Sequence, residues 1–201
     1  MKSQPDPFNL IICGVGGQGN ILISRLVGRL LAGKGYSVTI GETFGAAQRG
    51  GAVFSSLRIS EKKHYGPLIP EGQAHVVVSL EPLETLRVLN SYGNPAVITL
   101  TNCHPIYPVG VLSQKAVYPD LEKLREKIQA LSLSSWFLNA TDMAIALGSP
   151  IAANIIMLGA LVGVKKVPLT MDEVEDQIRE NFPPSTVDLN LQALKLGAEA
   201  V

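Results

Sequence analysis

Cysteine, charge and long apolar runs are all in short supply in this 201-residue chain, and each shortage closes off a class of function. The two cysteines, Cys13 and Cys103, belong to no C-x-x-C pair and cannot build a four-thiolate cluster. Their scarcity fits a reduced, cytoplasmic compartment. Charged residues make up 17% of the chain and sum to a formal net charge of zero, so there is no electrostatic footprint for nucleic acid. So low a charge fraction also implies that partner subunits cover part of the surface. The longest apolar run, Ile151 to Val164, is interrupted by Asn154 and is too short to span a bilayer; it reads as a buried helix. Met1 to Pro7 is polar, with two prolines, and reads as neither a signal peptide nor an anchor.

Reactive chemistry is missing too. The chain carries no G-x-x-x-x-G-K-[ST] phosphate loop, no H-E-x-x-H, no nucleophile-elbow serine and no paired catalytic carboxylates at recognisable spacing. A Gly-Asp-Gly metal-diphosphate signature is likewise absent. With 46% hydrophobic residues, the length predicts one compact domain over residues 1–201, with a helical C-terminal segment from about residue 141.

What is present is concentrated between Phe8 and Gly51. Phe8 to Cys13 reads as a buried strand, Gly14-Val-Gly-Gly-Gln-Gly19 follows at once, and Ile21 to Leu31 repeats apolar residues at helical spacing. Gly14, Gly16 and Gly19 match the G-x-G-x-x-G dinucleotide fingerprint in the context it requires. On that reading Gly14 permits the tight turn, Gly16 lets backbone N–H groups approach a diphosphate, and Gly19 lets helix and strand pack closely. The helix N-terminus adds partial positive charge. A glycine stop at Lys34-Gly35 leads to a second strand, Ser37 to Glu42, whose terminal acid stands about where such folds place a ribose-binding carboxylate.

Beyond Glu42 the pattern changes. Residues 43–51 are too short and glycine-rich for a crossover helix, Ala52 to Ser60 alternates as a strand, and Glu61 to His64 reads as its turn, so a hairpin is expected and the sheet would be mixed. His64 reads as solvated. Gly66 to Gly72 is an extended loop stiffened by two prolines. Strands at His75–Leu80 and Pro95–Thr101 flank a helix from Glu81 to Asn90 with Pro82 in its first turn. Cys103 and His104 follow, at what should be the carboxyl edge of the sheet, and without nearby ligands they read as loop-lining groups. Asp120 to Leu131 is an amphipathic helix, Trp136 to Ala140 a last strand, Thr141 to Gly148 and Pro150 to Val162 two helices, and Thr170-Met-Asp-Glu173 a capping box opening another. A final helix runs from Ser185.

Several blocks together resemble the gamma subunit, or gamma domain, of the 2-oxoacid:ferredoxin oxidoreductases, which include the pyruvate, 2-oxoisovalerate and indolepyruvate enzymes. They are Gly14 to Gly19, Ala47-Gln-Arg-Gly-Gly-Ala52, Gly66-Pro-Leu-Ile-Pro-Glu-Gly72, Leu80-Glu-Pro-Leu-Glu84, Thr101-Asn102 with Pro105 and Pro108, Tyr118-Pro119, and Asn154 to Ala160. The glycine loop alone is a weak signal; Gln48-Arg49-Gly50-Gly51 so soon after Glu42 is a strong one. Within the family the blocks are most similar to the smaller subunit of the indolepyruvate type.

The resemblance implies a three-layer α/β/α Rossmann-like domain with a mostly parallel, mixed sheet. It implies a complex that decarboxylates a 2-oxoacid on thiamine diphosphate, passes the acyl group to coenzyme A and sends electrons through iron-sulfur clusters to ferredoxin. Thiamine and clusters would sit on thiamine-binding and ferredoxin-like partner subunits, and this chain would help close the coenzyme A side of the active site. No metal, nucleic-acid or membrane contact is implied. The chain alone would be inert and would self-associate or need a partner, through apolar surfaces on Ile151–Val164 and Gly66–Pro70; the alternative for the first of these is a helix wholly inside the domain.

The candidate cofactor-binding residues are therefore Gly14, Gly16, Gly17, Gln18, Gly19, Glu42, Gln48, Arg49, Gly50 and Gly51. Gly14 to Gly19 is read either as an anion-accepting turn for phosphate or as a turn needed only for packing. Arg49 either faces the partner or coenzyme, as a bidentate fork, or pairs with Glu42 to shape the loop. A different class stays open: a free-standing NAD(P)- or FAD-dependent enzyme using the fingerprint and Glu42.

Overall fold

A computed structural model describes residues 5–42 and 51–201. Its centre is β1, Phe8–Val15, every residue of which is buried. The strand reads as an unbroken apolar run because both of its faces are covered. Leu10 and Ile12 face one core with Ile23, Val27, Ile156 and Leu194. Ile11 and Cys13 face the other with Val77, Val88, Leu89 and Ile128. Each such fully buried aliphatic side chain contributes about 1.5–3 kcal/mol of transfer free energy.

The six strands lie in the order β2-β3-β1-β4-β5-β6, with β2 at Ser37–Glu42, β3 at Ala52–Ser60, β4 at Val76–Ser79, β5 at Ile98–Asn102 and β6 at Ser134–Leu138. β1, β4, β5 and β6 are mutually parallel, while β3 runs antiparallel to both β1 and β2. The expected mixed sheet is therefore present, but the hairpin partners differ from the expectation. Glu61 to His64 does not turn β3 into a following strand. The antiparallel neighbours joined in sequence are β2 and β3, and β3 inserts between β2 and β1. A strand that follows another without a crossover helix returns antiparallel. Here its slot between two strands satisfies both of its edges.

On one face lie α1 (Asn20–Gly33), α5 (Ala140–Ala146), α6 (Ala153–Gly163), α7 (Met171–Asn181) and α8 (Pro184–Glu199); on the other, α2 (Pro82–Tyr92) and α4 (Leu121–Ala130). A short helix, α3 (Val109–Leu112), lies in the long connection between β5 and α4. This is the three-layer arrangement. Where no helix covers the second face beneath β3, the proline-stiffened loop does so: Arg58 donates to the carbonyls of Gly66 (3.2 Å) and Leu68 (3.1 Å) and lies 4.7 Å from the Tyr65 ring centre. Ile69 of that loop is buried in the second core. His64, exposed as expected, shares a 2.6 Å hydrogen bond with Ser37 Oγ.

The capping box at Thr170 is formed on both sides, its hydroxyl accepting from Glu173 N–H and Glu173 accepting from Thr170 N–H. Of the two readings of Ile151–Val164, a buried helix or an apolar surface for a partner, the structure shows the buried helix. Residues 154–162 are all buried between the sheet and α8, and of this stretch's large side chains only Ile151, ahead of the helix and 71% exposed, points outward. The reason is glycine at the helix crossing. A Cβ at Gly159 would lie 2.0 Å from the Leu194 carbonyl oxygen, and one at Gly197 1.8 Å from that of Ile156. Two backbones so close leave no apolar face of α6 to a partner.

Candidate functional site

The glycine loop links β1 to α1 at the carboxyl edge of the sheet, where open α/β folds gather ligands. Two of its glycines serve purposes other than those expected. Gly14 makes no tight turn; it lies within β1 opposite Val53. A Cβ there would lie 2.6 Å from Gln18 Oε1 and 3.0 Å from Leu80 Cβ, so its role is to leave room for the Gln18 side chain. The turn itself is made by Gly17 (φ +103°) and Gly19 (φ +92°), a left-handed region that favours glycine. Gly19 packs against α6 rather than a strand, since a Cβ would come within 2.2 Å of Asn154 Nδ2.

Gln18 ties the loop down with both ends of its carboxamide. Val15 N–H donates to Oε1 (2.7 Å) and Nε2 donates to the Leu80 carbonyl (2.9 Å), bridging the ends of β1 and β4. Gly16 N–H, expected to approach a diphosphate, donates instead to the Gly51 carbonyl (2.9 Å). Gly19 caps α1 without a side-chain acceptor, and the first turn of the helix carries no acidic residue.

Between this loop and the ends of β2 and β3 lies a cleft of about 350 Å³, lined by Gly16, Gly17, Gly19, Glu42, Phe54 and Ser55 among others. Glu42 thus shares a cavity with the glycine loop, although β3 separates its strand from β1. Its carboxylate pairs with Arg25 at 3.5 Å. Gln48, Arg49 and Gly50 lie outside the described residues, and with them the alternatives for Arg49. Of the candidate residues described, the structure brings Gly14, Gly16, Gly17, Gln18, Gly19, Glu42 and Gly51 to one edge.

Sequence reasoning missed a second polar centre along that edge. Glu81 is buried and its carboxylate receives three donors: Glu84 N–H at 2.9 Å as the cap of α2, Ile106 N–H at 3.4 Å, and the Tyr118 hydroxyl in a short hydrogen bond. These fasten the β5–α4 connection onto the sheet. Burial and the Glu81 carboxylate together push the Tyr118 hydroxyl far above its usual range. Tyr107 packs edge-on against Tyr118 at 5.2 Å. Beside them, Asn102 Nδ2 donates to the Leu80 carbonyl (3.1 Å) and Thr141 Oγ1 (2.9 Å). The available signal was the acid ahead of Pro82, an N-cap position; nothing local pairs it with Tyr118.

Burial pushes Glu84 up to about 7, opposed by Arg87 and reinforced by the Glu81 charge. Burial likewise pushes the Cys13 thiol to about 12 despite a hydrogen bond from Ser79, which makes it an inert packing group. Cys103 is half-buried with its thiol raised by burial, and His104 is exposed. Among the described residues no three His, Cys, Asp or Glu side chains converge as metal ligands, and no helix is long and apolar enough to cross a membrane.

The mixed sheet, with an antiparallel strand interposed between β2 and β1, departs from the parallel strand order of a dinucleotide-binding half. The profile of the pyruvate ferredoxin/flavodoxin oxidoreductase family matches residues 9–200, and the chain belongs to that family. It is 37% identical over 195 residues, 96% of this chain and 95% of the relative, to the indolepyruvate oxidoreductase subunit IorB of Pyrococcus horikoshii. The fold is that of pyruvate oxidoreductase subunit PORC from Thermotoga maritima (TM-score 0.70, 23% identity, covering 98% of this chain and 97% of that one). It also matches part of a 2-oxoglutarate:ferredoxin oxidoreductase from Magnetococcus marinus, solved with 2-oxoglutarate, coenzyme A and succinyl-CoA bound (TM-score 0.74, 19% identity, covering 98% of this chain and 32% of that one).

Proposed function

We propose that this chain is the gamma-type subunit of an indolepyruvate:ferredoxin oxidoreductase complex in the cytoplasm, with thiamine-binding and ferredoxin-like partner subunits and ferredoxin as electron acceptor. The observation that carries this is the 37% identity, over nearly the full length of both chains, to a subunit so named. Thiamine diphosphate and the iron-sulfur clusters are assigned to the partners, since two cysteines cannot hold a cluster. The chain's own contribution is a preorganised edge: Gln18 and Glu81 each fix a loop with multiple hydrogen bonds, and the cleft bounded by Gly16, Gly17, Gly19 and Glu42 adjoins the coenzyme A side of the complex. The isolated chain is inert, and it self-associates or needs a partner.

The test is reconstitution. Turnover of indolepyruvate with coenzyme A and methyl viologen is expected from the assembled complex and not from this chain alone. Turnover by the chain without a thiamine subunit, or full activity of the complex without the chain, would overturn the assignment.

A free NAD(P)- or FAD-dependent enzyme is the second reading, favoured by Glu42 facing the same cleft as the glycine loop. Against it, the Gly16 N–H that a diphosphate needs is already engaged by Gly51. Micromolar binding of NAD or FAD to the purified chain would establish this reading instead.

A further inference from the structure

Strand β2 ends the sheet, and among the described residues no strand pairs with its outer edge. Its pairing with β3 runs without a bulge from Ser37 opposite Ser60 to Glu42 opposite Ser55. Among the described residues no hydrogen bond reaches the backbone on its far side. Natural edge strands are blunted by proline, lysine, bulges or shortness. Ser37-Val-Thr-Ile-Gly-Glu42 has no proline, no lysine and no bulge, and spans six residues. Every second residue of such an edge directs its N–H and C=O outward, and an extended chain can pair with a row of that kind.

The ground beside this edge is shaped for side chains as well. A groove of about 210 Å³ runs between the edge and α1, floored by Val38, Ile40 and Ala32 and walled by Arg25 and Arg29. A seventh strand would send alternate side chains into it. Arg25 and Arg29 stand one helical turn apart, about 6 Å along the axis, close to the roughly 6.8 Å between same-face residues of a strand. Arg25 already has Glu42 at 3.5 Å. Arg29 is exposed, and its bond is to a neutral group, Asn181 Oδ1, at 3.4 Å. The groove therefore offers an apolar floor and one guanidinium that, among the described residues, has no carboxylate partner.

We propose that the outer edge of β2 is a docking site for an extended segment of another protein chain, which adds a seventh strand, lays an apolar side chain on Val38 and Ile40, and places an acidic side chain two residues away on Arg29. A second copy of this chain is the poorer occupant. Two-fold antiparallel pairing of β2 with itself would put both copies of α1 on the same face and set Arg25 and Arg29 of each against those of the other. The surface stands on its own geometry and does not depend on which oxidoreductase complex the chain serves.

The test uses the whole chain and two labelled peptides, Thr-Glu-Thr-Val-Thr-Val-Thr and the same peptide with lysine in place of glutamate. Fluorescence anisotropy is read up to millimolar protein alongside hydrogen exchange of residues 37–42. Expected are saturable binding, slowed exchange at the outward-facing amides of residues 37–42, and a preference for the glutamate peptide of about fivefold, the worth of one well-placed exposed ion pair. Arg29→Glu, at an exposed site, should invert the preference while its circular dichroism is unchanged. Absence of binding, equal binding of both peptides, or protection confined to other strands would overturn the proposal. So would outward-facing amides of residues 37–42 already protected without peptide, whether in a monomer or in a dimer seen by sedimentation; the amides that donate to β3 are protected throughout and serve as the internal reference.

Discussion

Gly16 N–H and the Gly51 carbonyl oxygen meet at 2.9 Å, joining two glycine motifs that are 35 positions apart in the chain (51 − 16). That bond closes the floor of the cleft on the side a diphosphate would occupy. It also makes the second glycine motif part of the first loop's architecture: one supplies the donor, the other the acceptor. Gln18 completes the closure from the opposite side.

Because the Gln18 carboxamide satisfies a buried donor and a buried acceptor at once, Gln18→Ala should destabilise the chain by about 1–3 kcal/mol. Urea unfolding followed by circular dichroism measures it. Gln18→Glu keeps the acceptor for Val15 N–H and loses the donor to Leu80, so it should recover only part of that loss.

Glu84 confers a pH dependence whose sign can be worked out. Its folded value of about 7 exceeds the ordinary 4.5, so between these values the folded chain holds more proton than the unfolded one and stability falls as pH rises through that window. Glu84→Gln should therefore stabilise the protein at pH 8, by about 1–3 kcal/mol after allowance for solvent screening, with the gain vanishing near pH 4. Thermal unfolding across that range gives the difference curve. A gain of equal size at every pH would remove the titration as its cause.

Tyr118→Phe keeps the ring against Tyr107 and deletes only the hydroxyl that Glu81 accepts. The loss should be about 1.5–3 kcal/mol, the range for a hydrogen bond to a charged group. Hydrogen exchange should quicken across the β5–α4 connection and at Ile106 N–H, while β1 and β4 keep their protection.

Gly197→Ala drives a methyl group into the Ile156 carbonyl, which is backbone and cannot rotate away. The helices must separate, at a cost of about 3 kcal/mol or more, beyond the usual range for overpacking. Gly33→Ala, where a Cβ meets nothing within 4 Å, is the matched control and should be neutral or slightly stabilising. Melting temperatures of the two variants make the comparison.

Which elements form was largely legible from residue order. The run Phe8 to Cys13, the glycine stop at Gly35, Pro82 in a first turn and the Thr170–Glu173 box each carry their own local physics, and each stands within a residue or two of its predicted place. Local propensity and capping act over a few residues, so the residues that decide them are neighbours in the chain. That Glu42 ends the strand after α1 was legible for the same reason.

What tertiary structure alone decided are the meetings between distant residues. That β3 inserts between β2 and β1, that Gly14 makes room for Gln18 instead of a turn, that Tyr118 finds Glu81, and that Gly159 and Gly197 let α6 vanish into the core are all choices of packing. A glycine in sequence announces only that a Cβ is missing. Whether the vacated space serves a turn, a ligand, a side chain or another helix depends on what the fold brings against it, since close packing and hydrogen-bond satisfaction are properties of groups adjacent in space and carry no signature along the chain.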